Sequence, residues 1–525
     1  MTHPWLVKEE DRCNYGLKWQ EVIATNQAPN VVLGPHRIFY PLKKSVFAVQ
    51  GQKDQQYIQD FENNIRLPLT DFLVSRLSDC TWTLNVLRIG FEGNRYDNPI
   101  VIHIFVQTPD YFPDNSDNAI KVLEGMEEII SQNKKTLEKT FRFFIDICQI
   151  HGSTLRGSEP QSYGDVNLTY NLENIYEEYT PRPGISIGRE DYTIAGSLTG
   201  FLKQNDNIYS LTCRHVAFPN EKFRSEYKYR TGEEKLQVSI PAMKDHIETK
   251  RRLKSTLDSI RFGHKNVRIE DAVNIDEEYI LSIEREENKR KFFLDRYNAA
   301  ENYLPNAGYV SAAPEEWRKV PGYIGNLDWA IIHNVCAAPS NTLPRARFLE
   351  EPHISNFIQS KQKEYQWSND ECKAFDSKCQ MLQDSEEFVI KHPSSSSILC
   401  TNKVYFKAPS RTLGWLACEM NCIKNIHHQK GHGTSEECVF VGKKHGGEVS
   451  GGGDSGALIY DIGIDATDTE NHTAALIPMA MIWGGNHHGT IISGFEDVTY
   501  ATPIGEVLKD IECEMGWDEG SLKFC

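Results

Sequence analysis

No stretch of this 525-residue chain reaches the roughly 18 consecutive apolar residues of a membrane-spanning helix. The opening residues, MTHPWLVKEEDRCNYGLKW, lack the apolar core of a secretory leader. Basic residues are outnumbered: 57 Lys and Arg against 73 Asp and Glu give a formal net charge of −16. Phosphates would be repelled, so neither nucleic acid nor an anionic membrane is expected as a partner. The 13 cysteines are odd in number and form no tight framework, as in proteins of reducing compartments. Internal repeats are also missing. These absences predict a soluble, cytoplasmic protein.

Hydrophobic residues make up 39% of the chain and aromatics 10%, enough to bury real cores. The length exceeds one typical domain. Residues 60–150 read as β-β-α-β. Thr83–Phe91 and Ile100–Gln107 are rich in β-branched residues, and Phe141–Ile150 alternates. Between them, Asn115, Ser116 and Asp117 suit a helix start. Ile120, Val122, Leu123, Met126, Ile129 and Ile130 then recur at helical spacing. The polar, proline-punctuated stretch after it reads as a linker. From Ile185 onward, short strands and glycine turns take over, as in a β-barrel protein. Thr193–Lys203 and Ile208–Thr212 suit a hairpin whose far end delivers His215.

Two long segments interrupt the β texture. Residues 241–300 are charged and helical, with Ile247, Leu253, Leu257 and Ile260 in one run. Tyr279, Ile280, Ile283 and Leu294 form another. Residues 345–400 read as a surface insertion. The expected organisation is an N-terminal α/β region over 1–155, regulatory or pro-domain-like, and a linker over 156–183. A β domain over 184–525 follows, with insertions at about 220–305 and 345–400.

The most chemically informative stretch is Gly451-Gly452-Gly453-Asp454-Ser455-Gly456-Ala457. Glycines let the backbone turn tightly and aim N–H groups at a developing oxyanion beside Ser455. A serine hydroxyl needs a base. His215 follows an apolar strand in Leu211-Thr212-Cys213-Arg214-His215-Val216. Asp328 opens another in Leu327-Asp328-Trp329-Ala330-Ile331-Ile332. A carboxylate there is costly unless paired, and an imidazole N–H is its natural partner. The order His, Asp, Ser is that of chymotrypsin-type enzymes.

With these residues the chain resembles the chymotrypsin- and trypsin-like serine peptidases. The nearest likeness is to peptidase domains of fungal intracellular proteins with an N-terminal α/β region. The resemblance spans roughly 184–512 through GISIG (184–188), TCRHV, LDWAII, GGGDSGALIY, Met481–Gly485 and Thr499–Ile504. It implies a mainly β fold, a chymotrypsin-like double β-barrel with helical insertions, plus the N-terminal α/β domain. It implies an acyl-enzyme mechanism with Ser455 as nucleophile, His215 as base and Asp328 as its orienter. The oxyanion hole would be the N–H groups of Gly453 and Ser455. Ile482, Trp483 and Gly484 would bind substrate as an added strand.

Val449 would lie near the base of the primary pocket. No carboxylate is there to select Lys or Arg, so a small or apolar residue before the cut is expected. Activation could involve Ile185, as a new N-terminus after Gly184, paired with Asp454. Alternatively, Asp454 could use internal hydrogen bonds. Secreted members carry a cysteine directly after the histidine; here it is Val216, which fits the intracellular reading.

Substrates are then proteins or peptides, cut selectively rather than in bulk, with no cofactor. A signalling or immune-type adaptor on the same fold is the alternative, and an esterase a third. Cys418, Cys422, His427, His428, His432 and Cys438 invite a zinc site, but their loose spacing favours buried thiols, and no metal is expected. Lys250-Arg251-Arg252 reads as a solvated helix face, and His487 and His488 as an exposed pair.

Overall fold

The computed structural model describes the chain except for residues 1–2, 10, 13–19, 28–44, 92–94, 107–116, 135–141, 151–180, 220–224, 265–276, 336–338, 345–368, 371, 374–375, 378–379, 381–386, 394–403, 412–413, 443–448, 465–473 and 486–497. The proposed linker therefore lies almost wholly outside the described residues, as do Asn115, Ser116, His487 and His488.

From Ser186 the chain builds two barrel layers of strands, the first a half-barrel and the second a closed ring. In the first, Ser186–Arg189 pairs with Gly196–Ser197, whose continuation Gly200–Gln204 forms a hairpin with Asn207–Thr212. Asn205 turns that hairpin at φ 53°, a left-handed conformation that asparagine tolerates. Asn207–Thr212 pairs with Ala330–Asn334, then come Asn306–Ala313 and Gln237–Ser239, which returns to Ser186–Arg189. The pairing path ends at Gly196–Ser197 on one side and at Gly200–Gln204 on the other, where Lys523–Phe524 covers the last strand. These strands form a half-barrel joined only by the chain between its two ends.

The second ring runs through Val404–Lys407, Leu416–Met420, Gly433–Gly442, Val498–Pro503, Ala474–Gly485 and Leu458–Ile464, and back to Val404–Lys407. Its interior holds Tyr405, Met420, Phe440, Val449, Ile459 and Ile482. Each such side chain contributes about 1.5–3 kcal/mol by leaving water.

The N-terminal region forms the expected β-β-α-β unit: Trp82–Gly90, Ile100–Val106, the helix Asp117–Asn133 and Phe144–Ile150. Ile100–Val106 and Phe144–Ile150 are parallel, as a helical crossover requires. Gln20–Thr25 and the helix Arg66–Arg76 complete it, neither legible from periodicity. Leu69, Leu73, Leu123, Met126 and Ile130 pack on Leu84, Ile102 and Ile147.

This unit does not end at its own edge. Trp82, Thr83 and Leu84 pair with His428, His427 and Ile426 of the strand Asn425–Gln429. That strand forms a hairpin with Gly433–Gly442 of the second barrel. The N-terminal sheet and the second barrel thus share one 14-stranded sheet. Arg95 makes a buried ion pair with Glu419 across the same seam, and Asn421 accepts from Val49 N–H and donates to the Val86 carbonyl.

The helices Met243–His264 and Glu277–Asn302 pack together as the charged segment predicts. Their buried face differs from the expected stripe. Leu253 and Leu257 are buried, but Ile247 is 58% and Leu294 38% exposed. Polar residues take their place inside, Asp245, His246 and Thr249 among them. Lys250 pairs with Glu301, and the buried Glu248 takes both Arg251 and Arg252.

Candidate active site

The first barrel positions a histidine and an aspartate by register. Ala330 lies opposite Thr212 on antiparallel neighbours, so His215, three residues past one, and Asp328, two before the other, emerge at the same end. Cys213 leaves the strand with extended dihedrals and starts a single helical turn, Arg214–Ala217, which carries His215. The His215 backbone N–H donates to Asp328 Oδ1 at 3.0 Å, and the ring Nδ1 lies 2.5 Å from Oδ2. One carboxylate therefore fixes both the turn and the imidazole. Held this way, Nδ1 carries the proton and Nε2 is left as the basic nitrogen. The side chains are 14% and 12% exposed, poorly hydrated but reachable.

Beneath the pair sits Cys213, fully buried. Its thiol is held well above the ordinary range by burial and then by the neighbouring Asp328 charge. Cys213, His215 and Asp328 are close enough for a metal site. The donor set argues otherwise: Nδ1 is committed to Asp328, and the protonated thiol donates to the Ile482 carbonyl at 3.3 Å. Cys418, Cys422, Cys438 and the nearby histidines form no such group among the described residues. His427 bonds Thr83 and stacks on Trp317, while His428 stacks on Trp82.

The second barrel brings Ser455 to the same place. The Ile482 carbonyl that receives the Cys213 thiol also accepts the Gly456 N–H at 2.7 Å. His215 and Ser455 thus stand two residues and one residue from groups that share a single carbonyl. Ser455 is 6% exposed. Among the described residues its hydroxyl makes no hydrogen bond, to His215 or to any other group. Such contacts commonly tighten only when substrate is bound.

The loop around Ser455 is two consecutive turns. Asp454 N–H donates to the Gly451 carbonyl at 3.0 Å, and Ala457 N–H to the Asp454 carbonyl at 2.8 Å. In a trans peptide the C=O and N–H point in opposite directions. Holding the Asp454 carbonyl through Ala457 therefore turns the Ser455 N–H the other way. Gly453 has φ +103°, and an added Cβ would strike Arg411, so glycine is required there. Among the described residues the N–H groups of Gly453 and Ser455 donate to nothing. Two unengaged donors beside a serine hydroxyl are what an oxyanion needs.

Sequence reasoning missed the residues that brace this loop. Ser197 donates from its N–H to the Ser455 carbonyl at 2.7 Å and from its hydroxyl to the Gly453 carbonyl at 3.1 Å. Lys407 and Ser410 reach Asp454, and Arg411 reaches both Ser197 and Asp245. Also missed was Glu437, fully buried, which accepts from Asn326 N–H at 2.6 Å and from Trp483 Nε1 at 3.3 Å. Burial pushes its carboxyl up to about 8.

The resemblance-derived substrate positions fall nearby. Ile482 N–H donates to the Ala457 carbonyl, and a bulge in the pairing with Val498–Pro503 falls between Ile482 and Gly484. A bulge leaves its extra residue out of the ladder, here Trp483, whose ring stacks on Tyr500. Val449 is fully buried in the second barrel. Residues 443–448 and 486–497, which flank these positions, lie outside the described residues.

Each barrel thus supplies one half of the site. The fold is a chymotrypsin-like double β-barrel. No family model and no curated protein matches the chain. Solved structures similar to it include a glutamic-acid-specific serine protease described as using a histidine triad in substrate binding. The two share 9% identity over 66% of this chain and 100% of that one, with a TM-score of 0.28. Thermobifida fusca Protease A is 10% identical over 63% of this chain and 96% of its own, with a TM-score of 0.27.

Proposed function

We propose that the protein is a serine endopeptidase that cleaves selected protein or peptide substrates through an acyl-enzyme. The observation that carries this reading is the junction of the barrels. A carboxylate-held imidazole and an unbonded serine hydroxyl flank one carbonyl, that of Ile482, with two unengaged N–H groups alongside. Ser455 Oγ attacks the scissile carbonyl and passes its proton to His215 Nε2. Asp328 stabilises the imidazolium, and Gly453 and Ser455 N–H receive the oxyanion. The proton on His215 then goes to the leaving amine, and water repeats the sequence to release the acid. Ile482–Gly484 pairs with the substrate backbone, and Val449 lies at the primary pocket, consistent with a small or apolar residue before the cut.

An intracellular setting is part of the proposal. The described cysteines, among them buried Cys80, Cys148, Cys213, Cys418 and Cys438, are all free thiols, which suits a reducing compartment. An active-site fluorophosphonate tests the chemistry: the account expects one adduct per chain, on Ser455, and none in Ser455→Ala. Absence of label in both full-length and trimmed protein would sink the enzyme reading. If Ser455→Ala kept every cellular effect, an adaptor on this fold would be the better account.

A further inference from the structure

Asp454, next to the serine, is fully buried and would be costly to hold as an anion without a counter-charge. The chain supplies one internally. Lys407, the last residue of Val404–Lys407, is also fully buried, and its Nζ lies 3.0 Å from Asp454 Oδ2. It also donates to Ser410 Oγ at 2.6 Å, and that hydroxyl donates to Asp454 Oδ1 at 2.6 Å. Gly451 N–H closes the set on Oδ2 at 3.0 Å. Both carboxylate oxygens carry donors, and the ammonium faces them from a strand fixed on both sides, through Leu416 and Ile459.

The bond before Ile185 is meanwhile built into the first barrel. Gly184 and Ile185 are both buried. Gly184 N–H donates to the Leu198 carbonyl at 2.6 Å, and Leu198 N–H to the Ile185 carbonyl at 2.7 Å. Gly184 sits at φ +85° with its Cα so close to the Pro409 carbonyl that a Cβ would clash. Pro409 belongs to the same short segment as Lys407 and Ser410. Arg411 extends the brace: its guanidinium forms a bidentate pair with Asp245 of the inserted helix at 2.7 and 2.9 Å. Its backbone N–H holds Ser197 Oγ, which in turn holds Gly453.

We infer that Lys407 is the positioning residue that sets the Gly451–Ser455 loop in the uncleaved chain, standing where a newly cut N-terminal amine would otherwise be needed. The inserted helix backs the same segment through Asp245 and Arg411. The inference rests on the serine-peptidase reading for its consequence in rate, but not for its consequence in loop order, so the two are measured separately.

The test uses the full chain, confirmed uncut by intact mass, as wild type, Lys407→Met and the charge-neutral double variant Lys407→Met/Asp454→Asn. Hydrogen exchange of the peptide spanning 449–457 reads loop order, and fluorophosphonate kinetics read its use. Uncut wild type is expected to protect that peptide and to label. In Lys407→Met, exchange there rises by roughly tenfold or more. The maximal labelling rate falls roughly 100-fold or more, as for loss of an oxyanion donor, while the half-saturating probe concentration changes little.

The double variant removes both buried charges, so it stays folded even where the single deletion unfolds the chain, and its loop peptide also exchanges faster. Wild-type exchange in the double variant overturns the inference. So does labelling that appears only after a cut before Ile185, which leaves the peptidase reading standing. A wild type that never labels removes the peptidase reading, and the exchange comparison still decides the role of Lys407.

Discussion

Asp328 touches His215 twice, at the backbone N–H and at Nδ1. Replacing it by Asn keeps the size but presents a donor where an acceptor is needed, favouring the wrong tautomer. Asp328→Asn is therefore expected to slow Ser455 acylation by roughly 10³–10⁴-fold with an unchanged melting temperature, measured by fluorophosphonate kinetics and calorimetry. Glu437 makes a second residue-scale prediction. Its carboxyl titrates at about 8 in the fold, against an ordinary 4.5, because it is buried. Between those values the folded state holds a proton that the unfolded chain has released. The contribution is complete below pH 4.5 and is lost as pH rises toward 8, by about 1.4 kcal/mol per pH unit. Glu437→Gln should flatten the pH dependence of stability relative to wild type across that window. Urea unfolding at several pH values checks this, and parallel slopes in the two proteins would contradict it.

At the scale of elements, the candidate residues were legible because His215 and Asp328 each sit beside a strand end that its neighbours announce. The apolar run before Thr212 and the run after Asp328 are strands, and antiparallel pairing brings their ends together. The brace was not legible. Lys407 closes a strand reading Val-Tyr-Phe-Lys and resembles an ordinary exposed strand end. Only closure of the second ring turns its side chain inward to Asp454. Glu437 is hidden for the same reason: beside Glu436 it looks like surface, yet it ties the Asn326 backbone to Trp483. The helical segment was recognised, but its buried face was misread at Ile247 because ion pairing through Asp245 replaces apolar contact. Asp245→Ala removes the bidentate partner of the buried Arg411 guanidinium. It is expected to cost about 3–5 kcal/mol of stability, seen as a lower urea midpoint.

Across the whole molecule, the N-terminal unit and the second barrel share one sheet, which is expected to make them unfold together. A regulatory or pro-domain-like role for residues 1–155 is then a proposal about a part that is hydrogen-bonded to the second barrel through Asn425–Gln429. Removing it would expose the edge of Asn425–Gln429 and strand Glu419 without Arg95. Arg95→Met is expected to lower the melting temperature of the whole chain in a single calorimetric transition. Two transitions would show the units to be independent. The central claim, that the two barrels meet to make a working nucleophile, is tested most directly by intact-mass analysis of the uncut chain after fluorophosphonate treatment. The account predicts one phosphonyl adduct, mapped to Ser455 and abolished in His215→Ala. An unlabelled chain, or an adduct that persists in His215→Ala at the wild-type rate, would contradict it.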